Sequence, residues 1–124
     1  FTQARCAQCH VPELRTGEFP ALPSISKKTF RAYTDLLLHD MGPGLADGRP
    51  DFKAGPRDWR TAPLWGIGLS AQVNGSTHLL HDGRARSVLE AILWHGGEAQ
   101  ASRDLFAGFS KQEREDLIAF VNAL

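Results

Sequence analysis

The spacing of apolar residues is most regular in the second half of the chain. Residues 87–90 (SVLE) have the form of a capping box, and apolar side chains follow at helical intervals. This pattern predicts a helix over 88–95 that stops at Gly96-Gly97. Residues 98–107 predict a second, shorter helix, and a second capping box at 110–113 (SKQE) begins a predicted terminal helix.

The first half of the chain is less regular. The first 17 residues predict a short helical turn, with Thr2 as a candidate cap, followed by a loop. From Gly17 to Pro63, counting Pro63 itself, there are six prolines, and only residues 29–38 are suited to a short extended pair. No longer alternation of apolar and polar residues is present. The sequence therefore predicts an all-α fold with long loops, of the kind that wraps a large group.

Length and charge narrow the functional classes. The chain has 124 residues and a formal net charge of zero, which predicts one domain over 1–124 and argues against a nucleic-acid partner. No apolar run approaches the length of a membrane span. The sequence begins at Phe1 without the charged residues and hydrophobic stretch of an export signal. We therefore expect the domain to come from a larger exported protein.

The most specific motif is Cys6-Ala7-Gln8-Cys9-His10. Two cysteines three residues apart on a helical turn face the same side, so each thiol can add to one vinyl group of a haem. The adjacent histidine can then bind the iron through a ring nitrogen. The motif therefore predicts one covalently attached haem c, with Cys6 and Cys9 as attachment points and His10 as an iron ligand.

Other uses of a Cys-x-x-Cys pair fit the sequence less well. A thioredoxin-like site lies in a βαβ pattern, and the sequence contains none. A zinc site needs further ligands at suitable spacing, and no third cysteine exists; His78 and His81 are the remaining candidates.

The sixth iron ligand has several candidates. Met41 is the only methionine, and it lies in a glycine- and proline-containing loop (HDMGPG) that could cover the open face of the haem. A thioether ligand would raise the reduction potential. We predict Met41 as this ligand, with His39, His78, His81 and His95 as rivals that would give a bis-histidine haem of lower potential.

Further pocket residues are suggested by the chemistry of the haem. Trp59 is a candidate for packing against it, although tryptophans more often serve general packing. Arg60 is a candidate partner for a haem propionate, because a buried carboxylate needs a charged or hydrogen-bonding partner. Arg84 and Arg86 are similar candidates, and a solvated surface role is equally expected for each arginine.

The motif CxxCH, the segment HDMGPGLADG and the stretch LLHDGRARSVLEAILWHGGEA together resemble the C-terminal haem domain of bacterial di-haem oxidoreductases. These proteins are also described as thiol oxidoreductases and are related to di-haem cytochrome c peroxidases. The resemblance implies a class I cytochrome c fold with haem bound by Cys6, Cys9 and His10 and with Met41 as distal ligand. This chain departs from the family in having a single CxxCH.

Two functions follow as hypotheses. The first is a c-type cytochrome domain that passes single electrons to a redox partner protein, such as an extracellular copper oxygenase, in the bacterial periplasm or outside the cell. A carrier of this kind has no substrate turnover of its own. The alternative is a peroxidase-like oxidoreductase, or the electron-transferring half of a di-haem peroxidase. A peroxidase would need an open iron site and an acid-base residue such as His39, His81 or Glu90.

Overall fold

A computed structural model describes residues 1–124. The chain forms four α-helices and two small antiparallel sheets of two strands each. In chain order the elements are β1 (Leu14–Arg15), β2 (Thr29–Phe30), β3 (Leu38–Asp40), β4 (Asp58–Arg60), α1 (Ser70–Asn74), α2 (Val88–Trp94), α3 (Gln100–Ala107) and α4 (Lys111–Asn122).

The helices of the second half are confirmed. At the start of α4, Ser110 Oγ accepts from the Glu113 amide at 3.3 Å and the Glu113 carboxylate accepts from the Ser110 amide at 2.8 Å, which completes the capping box. At the start of α2, Ser87 Oγ also accepts from the amide of Glu90. α3 begins at Gln100, after a 3-10 turn at Gly97–Ala99.

The all-α prediction is wrong, and with it the expectation of an all-helical cytochrome fold. β1 pairs with β2, with Leu14 opposite Phe30, and β3 pairs with β4, with His39 opposite Trp59. Each strand has only two or three residues, too few to carry an alternating pattern. The sheets are defined by backbone hydrogen bonds between segments distant in the sequence, which a local pattern does not encode. α1, of five residues, was also missed.

The first segment of the chain also differs from its prediction. A 3-10 turn forms at Cys6–Gln8, but it follows Arg5, and no side chain caps it. Thr2 contributes a backbone carbonyl, which accepts from the Arg5 amide at 2.9 Å. The predicted helical turn is therefore confirmed in place and the predicted Thr2 cap is not.

The hydrophobic core joins the first residues of the chain to its last helices. Ala4, Val88, Phe106, Leu117 and Val121 form one buried cluster, and the Cys6 side chain packs against it. Phe106 is fully buried, so truncating it would remove a large part of the core's apolar contact. This packing fixes the cysteine-containing turn against α2, α3 and α4. None of the helices is both long and apolar enough to cross a membrane.

A second close contact joins the end of β3 to the residues that follow α2. A Cβ at Gly97 would overlap the carbonyl oxygen of Asp40 and lie 2.6 Å from the amide nitrogen of Gly42. Gly97 also has φ +53°, in the left-handed region. Gly96-Gly97 therefore does more than end a helix, because its lack of side chains lets two backbones touch.

Candidate functional site

The Cys6–His10 motif is held on one tight turn. The 3-10 turn covers Cys6–Gln8, and the His10 amide donates to the Cys6 carbonyl at 2.9 Å. Both cysteines are half-buried and neither forms a disulfide. The fold therefore presents two free thiols and one imidazole from five consecutive residues, with Cys6 supported by the hydrophobic core.

The two thiols are not activated. Burial raises the pKa of Cys6, and burial together with the negative charges of Asp35 and Glu98 raises the pKa of Cys9. Both groups therefore stay protonated at neutral pH. A reactive dithiol depends on an activated thiolate, so these surroundings argue against that alternative.

His10 has one ring nitrogen committed and one free. Its Nδ1–H donates to the Tyr33 carbonyl at 3.0 Å, which leaves Nε2 as the nitrogen able to bind a metal. Burial lowers the pKa of His10, so the neutral, metal-binding form is favoured. Tyr33 has φ +54°, a strained conformation at the residue that orients the ligand. The neighbouring Thr34 anchors this segment through its amide, which donates to the Val11 carbonyl at 3.0 Å.

His95 has the same arrangement at the end of α2. Its Nδ1–H donates to the Ala91 carbonyl at 2.7 Å, and burial lowers its pKa. The centres of the His10 and His95 rings are 6.5 Å apart, with the ring planes inclined at 48°. The structure thus brings together two neutral imidazoles that are 85 positions apart in the sequence.

His39 is bound by two carboxylates. Its Nε2 lies 2.8 Å from Asp35 Oδ2 and its Nδ1 lies 2.9 Å from Glu98 Oε2. The hydrogen bonds to Glu98 and Asp35 raise the pKa of His39, and the bond from His39 lowers the pKa of Glu98. The pKa of Asp35 is lowered, against the effect of its burial, by hydrogen bonds from the Leu37 amide and from His39. Cys9, Asp35 and His39 are close enough to hold a metal ion. An imidazolium that donates from both nitrogens has no lone pair for a metal, however.

Met41 lies immediately after β3, close to His95. Its amide donates to the Arg57 carbonyl at 2.9 Å, and its carbonyl oxygen lies 3.0 Å from the position a Cβ would occupy on Gly96. The residue is half-buried. Met41 and His95 therefore reach the same part of the molecule through two different segments.

Trp59 and Arg60 occupy neighbouring positions in β4. Trp59 donates from its indole nitrogen to the Leu45 carbonyl at 2.9 Å and stacks on the His81 ring with centres 3.6 Å apart. The two rings thus pack against each other, and the hydrogen bond from Trp59 to Leu45 stabilises the loop after Gly42. Arg60 is exposed and forms no ion pair with the protein, which leaves it available for an external carboxylate.

The other two candidate propionate partners, Arg84 and Arg86, form ion pairs within the protein. Arg84 forms an ion pair with Asp82 at 2.7 Å and lies over the Trp94 ring at 4.8 Å. Arg86 pairs with Glu90 at 2.7 Å. These contacts tie the segment before α2 to the helix, and they give Arg84, Arg86 and Glu90 structural roles.

The donor set fits a c-type haem. Two free thiols and a neutral imidazole with an uncommitted nitrogen, all on one turn, are the groups that such a cofactor uses for attachment and ligation. Large apolar side chains are also exposed beside His95, with Leu93 and Trp94 at 46% and 41% exposure. A large apolar ring system is the kind of group that would cover such surfaces.

Sequence reasoning missed several residues that shape this site. The Tyr33 carbonyl positions His10. Gly97 positions the segment that contains His95, and Glu98 positions His39. The glycine pair after His95 was the one local signal available, and it was interpreted only as a helix stop. Backbone carbonyls carry no sequence signal at all.

The whole chain matches one family model. The model, described as "Di-haem oxidoreductase, putative peroxidase", matches residues 1–124. No curated protein and no solved structure matches the chain. The chain therefore belongs to the di-haem oxidoreductase family, a family of haem-linked redox proteins.

Proposed function

We propose that the chain is an electron-transfer domain that carries a single covalently attached haem. The observation that supports this most strongly is the turn at Cys6–His10, where two protonated thiols and an oriented neutral imidazole lie together. The family match supports a haem cofactor. The single CxxCH motif supports one haem for these 124 residues.

Each residue of the motif has a separate task in this proposal. Cys6 and Cys9 hold the cofactor through thioether bonds, and His10 Nε2 binds the iron. The Tyr33 carbonyl fixes the tautomer and orientation of His10, as second-shell partners of metal-bound histidines generally do. The haem supplies the one-electron ferric/ferrous couple. Arg60, exposed and unpaired, is the proposed partner of a haem propionate.

In this proposal the protein would supply two ligands to the iron and so close the iron site. The Met41 backbone contacts Gly96, next to His95, and these two residues are the candidates for a second ligand to the iron. An iron with two protein ligands has no site for a substrate, so it exchanges electrons without turning over a substrate. This argument favours an electron carrier over an enzyme.

The peroxidase alternative has the support of the family description. It requires a free acid-base side chain beside an open iron. His39 is held by two carboxylates, His81 is stacked on Trp59, and Glu90 is paired with Arg86. Each candidate thus already has a protein partner, which favours electron transfer.

We also propose an exported location and a protein redox partner. Covalent haem attachment through CxxCH is carried out on the export side of the bacterial membrane, which supports the periplasm or the cell exterior. With no net charge, the chain is expected to dock through a small, partly apolar patch, as weak redox encounters do.

Stopped-flow reoxidation and a peroxide assay on the same holoprotein would test the electron-transfer function. We expect fast reoxidation of the ferrous protein by a small outer-sphere oxidant and slow peroxide turnover. His39→Gln and His81→Gln should leave both rates largely unchanged, because these side chains are structural. Rapid peroxide turnover by the wild type that is lost in either variant would identify an enzyme instead.

A further inference from the structure

We propose that His95 is the second axial ligand of the haem iron, on the side opposite His10. This inference rests on the proposed function, because it takes the haem to be attached at Cys6 and Cys9. The sequence predicts Met41 as the sixth ligand, and the inference assigns that position to His95 instead. The domain would then contain a bis-histidine haem.

The distance between the two rings supports this assignment. A ligating imidazole nitrogen lies about 2 Å from its metal, so two imidazoles on one ion have ring centres roughly 6 Å apart. The His10 and His95 centres are 6.5 Å apart. The inclination of 48° shows that the rings are not stacked on each other, so a stacking interaction does not account for their proximity.

The hydrogen bonds of the two histidines support it independently. In each ring Nδ1–H donates to a backbone carbonyl, from Tyr33 to His10 and from Ala91 to His95. Metal-bound histidines almost always donate their other ring N–H in this way. The one hydrogen bond of each ring is made by Nδ1, and no buried side-chain nitrogen or oxygen lacks a partner, so neither Nε2 atom is fully enclosed by the protein.

The fold fixes the position of His95. It is the C-terminal cap of α2, and its amide donates to the Ile92 carbonyl at 3.1 Å. The next two residues are the glycines that touch β3, and Glu98 accepts from the Asp40 amide at 3.0 Å. His95 is therefore fixed by α2 on one side and by the contact of the glycines with β3 on the other, as a preformed ligand must be.

The other histidines are excluded by their contacts. Both nitrogens of His39 are bonded to carboxylates, and His81 is stacked on Trp59. His78 is exposed in the loop before α2. Met41 is thus the one rival, and its backbone contacts Gly96, next to His95.

Ferric absorption spectra and midpoint potentials of holoprotein variants would test the assignment. The wild type should lack the weak long-wavelength band of methionine-ligated ferric haem. Met41→Leu should leave spectrum and potential unchanged, as should the control His78→Gln. His95→Met should gain the methionine band and shift the potential upward, because a thioether ligand favours the ferrous state.

The assignment would be overturned by a methionine band in the wild type that Met41→Leu removes, or by His95→Met that leaves the spectrum unchanged. The wild-type and Met41→Leu spectra keep the test decisive if His95→Met does not fold. Intact mass under denaturing conditions separates the two proposals. A chain without covalent haem refutes the proposed function, whereas a haem-bearing chain with methionine ligation refutes only the inference.

Discussion

Gly97→Ala is expected to destabilise the protein strongly, because residue 97 is both strained and enclosed. The residue has φ +53°, a left-handed conformation that costs a non-glycine residue about 1–2 kcal/mol. The new Cβ would also overlap the Asp40 carbonyl and lie 2.6 Å from the Gly42 nitrogen. Overpacking of this kind costs about 1–3 kcal/mol.

Together these effects predict a loss of about 2–5 kcal/mol in the free energy of unfolding. For a domain of this size the midpoint of thermal unfolding should fall by roughly 10 °C or more. Circular dichroism of the ferric holoprotein during heating measures this fall. The spectrum of the haem should change in parallel, because the contact at Gly97 positions His95.

Gly17→Ala is the matched control. A Cβ at Gly17 has no heavy atom within 4 Å, and the residue has no left-handed φ, so its substitution should change stability by about 0.5 kcal/mol or less. A Gly97→Ala protein as stable as the Gly17→Ala protein would refute the reasoning. It would show that β3 and the segment after α2 do not touch as described.

Three further predictions concern the core, a helix cap and the ion pair between His39 and Glu98. Phe106→Ala should cost about 3–5 kcal/mol in denaturant unfolding, whereas Phe52→Ala, at a fully exposed position, should cost almost nothing. Ser110→Ala should cost about 1 kcal/mol by removing the cap of α4, and no measurable loss would contradict the capping box. Glu98 raises the pKa of His39, so this pairing stabilises the fold below the ordinary histidine pKa of about 6.5 and is lost as pH rises through the raised value. The stability deficit of His39→Gln, followed by denaturant unfolding, should therefore shrink from about pH 6 to pH 9, and a deficit that grows would contradict the ion pair.

The sequence predicted the helical half of the fold well because its signals are local. The capping residues Ser87 and Ser110 and the apolar residues that follow them lie within a few turns of each other. The two sheets could not be predicted in this way. Their strands are too short for a pattern, and pairs such as Leu14 with Phe30 join residues far apart in the sequence.

The candidate site shows the same difference between local sequence signals and long-range contacts. The Cys6–His10 motif could be identified because attachment and ligation chemistry are encoded in five consecutive residues. The second ligand depends on contacts between residues far apart in the sequence. A single methionine in a glycine-containing loop favoured Met41, but only the folded chain shows that His95 lies 6.5 Å from His10. The Tyr33 carbonyl, a backbone group, could not be assigned from side-chain identity.

Mass spectrometry of the purified holoprotein under denaturing conditions, followed by peptide mapping, tests the central claim most directly. The account predicts the mass of one haem added to each chain, on the peptide that contains Cys6 and Cys9. A chain that carries no haem after export through a haem-attachment system, or that releases it into acidified organic solvent, would contradict the account.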